Sequence, residues 1–188
     1  DLYDEDASGF DHDVAGIGRV DASNLQNDSR GSGMVRMLNP SGLGNNEFLM
    51  WGHDNGITSA TNTADIPAGI QARSNRIWRV SERNSTNASN VNVGNVDIQF
   101  DFSGLGAITV GDLRLLIDTD NDGLFADETP IGSATLVSGS IYQFSAVLGT
   151  ALSNNRRFTF ATINSTQTPL PIELLNFTAR GVGQNVKV

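Results

Sequence analysis

Across 188 residues the chain carries 21 acidic against 12 basic side chains, a net charge of -9, 20 glycines and no cysteine. That length suits one domain with a buried core, and the acidic surplus argues against nucleic acid, whose phosphates need clustered Lys and Arg. Without cysteine there are no disulfides, thiolate nucleophiles or cysteine-held zinc, and no apolar run reaches the roughly 18 residues that would predict insertion in a membrane.

Residues 1–13 hold Asp1, Asp4, Glu5, Asp6, Asp11 and Asp13 and read as a solvated acidic N-terminal arm. The opening Asp-Leu-Tyr carries neither Met nor a signal peptide, as expected of a mature or trimmed piece of a longer precursor. Through residues 14–33, Gly, Asp, Asn and Ser recur at short intervals, which predicts loop with one helical turn. Strand-like pieces follow. Met34–Leu38 alternates and ends in the turn Asn39-Pro40-Ser41-Gly42, and Glu47–Trp51 is apolar and closes on Gly52-His53-Asp54-Asn55-Gly56. Residues 57–75 look irregular.

Arg76–Glu82 alternates, with Trp78 and Val80 on one face. In Val91–Phe102 the residues Val96, Ile98, Phe100 and Phe102 share one face, the clearest strand pattern in the chain. Further strands are predicted at Leu113–Ile117, Ile131–Val137, Ile141–Val147, Arg157–Ile163 and Ile172–Thr178. No segment keeps a helical period with caps. The reading is all-β: an antiparallel β-sandwich, jelly-roll or immunoglobulin-like, with long loops and little helix, over residues 14–168.

Between two of these strands lies Asp118-Thr-Asp-Asn-Asp-Gly-Leu-Phe-Ala-Asp-Glu128. Asp118, Asp120 and Asp122 occupy loop positions one, three and five, and Gly123 position six. Calcium takes six to eight hard oxygen ligands, and this spacing wraps three carboxylates round one ion while glycine permits the sharp turn. The Leu124 carbonyl is the expected ligand at position seven. Position twelve, where a helical calcium loop carries glutamate, is Thr129. Asp127 and Glu128 are therefore the candidate closing ligands, and strands rather than helices flank the loop. The expected cofactor is Ca2+.

Other chemistry is faint. His12 and His53 are the only histidines, and no Gly-x-Ser-x-Gly nucleophile motif accompanies them; Gly31-Ser32-Gly33 reads as a turn. Gly16-Ile17-Gly18 lacks the third glycine of a dinucleotide loop. Trp51 and Trp78 sit in apolar runs that predict core packing. No catalytic residue is assigned, and the chain reads as non-enzymatic.

Several stretches carry a resemblance: Asp13-Val-Ala-Gly-Ile-Gly-Arg19, Phe48-Leu-Met-Trp-Gly-His-Asp-Asn-Gly56, Arg76-Ile-Trp-Arg-Val-Ser-Glu82, Val93-Gly-Asn-Val96 and the acidic loop. Together, over residues 11–165, they resemble an uncharacterised domain of large surface proteins of the Bacteroidota. Pro169-Leu-Pro-Ile-Glu-Leu-Leu-Asn-Phe-Thr-Ala179 is similar to the opening of the C-terminal region of proteins exported by type IX secretion. Residues 169–188 then read as a linker and strand leading to an absent sorting domain. The resemblance implies a secreted or cell-surface location and no activity. The expected function is a calcium-binding structural or adhesive module, associating with itself or with neighbouring domains of its polypeptide, as in a fibre assembled by strand exchange. The alternative is a carbohydrate-binding module with glycans as partners.

Overall fold

The structure is a computed structural model that describes residues 3, 8–86, 89–106, 108–166, 180–182 and 185–187. Two antiparallel sheets make a β-sandwich. The first runs β2 (Asn24–Gln26), β1 (His12–Asp21), β5 (Glu47–His53), β7 (Trp78–Asn84), β12 (Arg157–Thr162) and β6 (Ala72–Arg73), and β9 (Leu113–Ile117) takes the other edge of β12. The second runs β10 (Thr135–Ser138), β11 (Ile141–Val147), β8 (Val96–Asp101), β4 (Val35–Leu38) and β3 (Asp28–Ser29). A separate hairpin pairs β13 (Arg180–Val182) with β14 (Asn185–Lys187). No α-helix occurs among the described residues; a 3-10 turn at Val110–Asp112 leads into β9.

Alternation places the core. On β8, Val96, Ile98 and Phe100 point inward with Phe102 just beyond, all essentially inaccessible, and they meet Trp78, Phe158 and Phe160 from the first sheet. Trp78 stacks on Phe158 at 5.8 Å and meets Phe100 edge-on at 5.7 Å, while Phe102 meets Phe160 edge-on at 4.9 Å. Aromatic contacts of this kind add about 0.5–1.5 kcal/mol each beyond the area they bury. Trp51, like Trp78, is 1% exposed, so both indoles are core residues as their apolar runs predicted.

Residues 14–33 depart from the expected loop, and the strand that replaces it begins inside the expected arm. His12–Asp21 is a ten-residue strand that pairs with β5 from Ala15↔Trp51 to Arg19↔Glu47, and β2 and β3 follow it. Ala15 and Ile17 do alternate inward. Glycine on the outer face masked the pattern: Gly18 lies opposite Phe48, whose ring occupies the space a Cβ would need. Nor is the arm simply solvated. Tyr3 and Phe10 are buried, the Tyr3 hydroxyl donates to the Phe10 carbonyl at 2.5 Å, and the guanidinium groups of Arg79 and Arg157 lie over the Phe10 ring. Asp1, Asp4, Glu5 and Asp6 lie outside the described residues, as does the strand expected at Ile172–Thr178.

A second apolar cluster sits on the outer side of the first sheet. Ile70, Leu116, Phe125 and Ala161 pack together there, joined by Ile66, Ile77 and Ile163. The segment 57–75 expected to be irregular, which contains the short β6, thus covers with Ile77 a sheet face that would otherwise be wet, and Phe125 brings the acidic loop into the same cover.

Candidate metal centre

The acidic loop leaves the end of β9 and returns at Ile131, which bridges to Leu115. Its first residue is still tied to the sheet, because the Asp118 N–H donates to the Arg157 carbonyl at 2.9 Å. The turn then needs left-handed backbone at Asn121 (φ 65°) and Gly123 (φ 90°). Gly123 has a second reason to be glycine: a Cβ there would collide with the Arg157 guanidinium.

This path brings Asp118, Asp120 and Asp122 together, with one carboxylate oxygen from each lying within 4.8 Å of the other two. Asp120 and Asp122 are exposed, whereas Asp118 is wholly buried. Asp118 Oδ2 accepts the Gly123 N–H at 3.0 Å; Oδ1 is buried with no hydrogen-bond partner among the described residues. Burial first, and the neighbouring Asp122 charge last, push the Asp118 carboxyl above its ordinary range, against the pull of backbone N–H donors and Arg157. A buried carboxylate oxygen without a partner costs free energy. A hard divalent cation placed there would satisfy that oxygen and relieve the mutual repulsion together.

The remaining predicted ligands fall into different places. The Leu124 side chain is exposed and its N–H donates to Asp122 Oδ1 at 2.7 Å. Glu128 is nearly buried and holds Thr119, accepting its hydroxyl at 2.7 Å and also its N–H. Asp127 faces solvent. Neither Asp127 nor Glu128 joins the three-carboxylate group. Glu128 instead clamps the two ends of the loop.

Residues distant in sequence complete the frame. Phe125 is fully buried with the Arg73 guanidinium 5.1 Å from its ring centroid. Asp65 accepts the N–H groups of Phe125 and Ala126 at 2.6 and 3.1 Å and pairs with Arg73 at 2.9 Å. An apolar Phe inside an acidic loop is a signal that can be read from sequence; the partnership with Asp65, sixty positions earlier, has no local signature.

The histidines make no catalytic set among the described residues. His53 ends β5, 2% exposed, so it belongs to the strand rather than the turn. Its Nδ1 accepts the Asn55 N–H at 2.9 Å, which leaves the proton on Nε2 to donate to Asp13 Oδ2 at 2.9 Å. Burial pulls its pKa below the usual value, opposed by that hydrogen bond. Ser32 donates to Asp13 rather than to His53, so the three side chains do not form the hydroxyl–imidazole–carboxylate relay of an activated serine. A concavity of about 560 Å³ over β1, β2 and β5, lined by Val20, Leu25, Phe48 and Met50 among others, carries no titratable group and lies apart from the acidic loop.

No helix among the described residues is long and apolar enough to cross a membrane. No curated protein and no solved structure matches the chain. A family model, described as a domain of unknown function (DUF8202), matches residues 1–156, so the family unit includes the N-terminal arm and the whole acidic loop, and the chain belongs to that family.

Proposed function

We propose that this domain is a non-catalytic, calcium-binding structural module of a secreted or cell-surface bacterial protein. The observation that carries the reading is the convergence of Asp118, Asp120 and Asp122 around the buried, partnerless Oδ1 of Asp118. The Leu124 carbonyl and water would complete the six to eight oxygens calcium takes, with Glu128 holding the loop closed through Thr119 rather than reaching the ion. The extracellular and Bacteroidota reading rests on the resemblance of residues 11–165 and of the 169–179 segment, the latter outside the described residues. Assembly into a fibre by strand exchange belongs to the same proposal: deleting residues 180–188 is expected to abolish filaments, and normal filaments from that truncated chain would count against it. Glycan binding by stacking on Trp51 or Trp78 loses its platform, since both indoles are buried.

The direct test is calorimetric titration of the chelator-treated chain with calcium, with thermal melts alongside. One ion per chain is expected. At calcium 100-fold above Kd the gain is about 2.7 kcal/mol, or roughly 5–10 °C for a chain of this size. Asp118→Asn should abolish both signals. Heat-free titration and an unmoved melting temperature would refute the calcium site.

A further inference from the structure

The outer face of the second sheet carries a groove of about 260 Å³ lined by Arg30, Met34, Arg36, Gln99, Asp101 and Ile141. Its polar groups form a hydrogen-bonded chain across β4, β8 and β11 and a second, separate pair on the near side. Arg36 grips Asp28 with Nε and Nη2, at 2.6 and 2.5 Å, and donates from Nη1 to Gln99 Oε1 at 3.3 Å. Gln99, 4% exposed, donates to Gln143 at 2.6 Å, and Gln143 to Ser145 at 2.8 Å. On the near side Arg30 donates to Asp101 at 2.5 Å and to the Gly33 carbonyl at 3.1 Å.

The balance of donors and charge identifies what fits. A guanidinium has five N–H donors. Arg36 uses three of them, leaving two, and Arg30 uses two, leaving three, among the described residues. The carboxylates are already engaged: both Asp28 oxygens take Arg36, and Asp101 takes Arg30, the Ser103 N–H and the Ser140 hydroxyl. The groove therefore offers fixed donors and calls for ligand oxygens. Each Arg is already charge-paired, Arg30 with Asp101 in the groove and Arg36 with Asp28 beside it, in a chain of net charge -9, so an anion gains little there. Met34 and Ile141 supply apolar floor between the polar arms. Oxygen-rich polar edges around an apolar face describe a pyranose ring. We propose that this groove binds a neutral oligosaccharide, held by the guanidinium forks of Arg30 and Arg36 and positioned by the Gln99–Gln143 ladder. Donors fixed before binding lose little freedom on binding. The site stands on the opposite sheet from the acidic loop and is independent of the calcium reading.

The test is affinity electrophoresis of the 188-residue chain through gels containing neutral polysaccharides (xylan, mannan, β-glucan, dextran) or acidic ones (pectate, a sulfated galactan), with and without chelator. Retardation by at least one neutral polysaccharide is expected, unchanged by chelator at a temperature where the chain stays folded. Arg30→Gln and Gln143→Ala, both outside the core, should each weaken it at least tenfold while the melting temperature holds within a few degrees. Arg30→Lys, which keeps the charge and loses the fork, should weaken it nearly as much. No retardation on any neutral gel, retardation on acidic gels alone, or binding that survives both variants would overturn the proposal.

Discussion

Glu82 on β7 shows how one buried side chain sets a pH response. Its Oε1 accepts the Val93 N–H at 2.9 Å, and Oε2 is buried without a hydrogen-bond partner among the described residues. Burial, with Glu47 adding a like charge, raises its pKa to about 7. A raised folded-state value means that the protonated form stabilises the fold. That contribution is complete below the ordinary carboxylate range and is lost as pH rises through about 7. With calcium saturating, the wild type should lose on the order of 3 kcal/mol through this group between pH 5 and pH 8. Glu82→Gln should remove that slope, seen as the difference between the two urea-denaturation profiles; parallel profiles would contradict it. Gly123 is the second informative residue. Gly123→Ala must adopt a positive φ and displace Arg157, so a loss of roughly 2–4 kcal/mol and weaker calcium binding are expected from melts and calorimetry.

At the level of elements, the acidic loop and the 57–77 segment act as one cover over the outer side of β9 and β12. Phe125 is the peg and Asp65 the catch. Phe125→Ala should cost about 3–5 kcal/mol as a buried large-to-small change, and it should also lower calcium affinity, because the loop loses the anchor that holds its carboxylates together. Asp65→Ala should reproduce the affinity loss with a smaller cost in melting temperature. Were calcium affinity unchanged in both variants, the loop would be shaped by β9 and β12 alone. The sheet edges differ in their protection. β3 is two residues long with Asp28 held by Arg36, whereas β10 reads Thr-Leu-Val-Ser and is exposed throughout, making it the less guarded edge of its sheet.

For the whole molecule, the two apolar clusters predict two tiers of stability. The main core joins both sheets through Trp78 and the phenylalanines of β8 and β12, and none of its members lies in the acidic loop. Chelation should therefore lower the melting temperature without unfolding the chain at room temperature, unlike small domains whose folding energy is mostly metal binding. Hydrogen exchange in chelator should quicken in residues 118–128 and 57–77 while β8 and β12 keep global protection. Uniform loss of protection on removing calcium would mean that the ion supports the main core as well.

The two-sheet class, the buried indoles, the exact bounds of Leu113–Ile117 and Ile141–Val147, and the three clustered aspartates were all legible in the sequence. Each depends on a local period or spacing, two residues for a strand face and two for alternate loop carboxylates, which a linear pattern preserves. The tertiary structure alone decided the rest. It made residues 12–21 a strand, because Phe48 across the sheet occupies the space beside Gly18 and turns a turn-forming composition into a paired one. It gave Phe125 to Arg73 and Asp65, and it placed Glu128 on Thr119 rather than within the aspartate cluster. Those outcomes depend on which surfaces meet across strands far apart in sequence, and burial and hydrogen-bond satisfaction between distant segments leave no periodic trace along the chain.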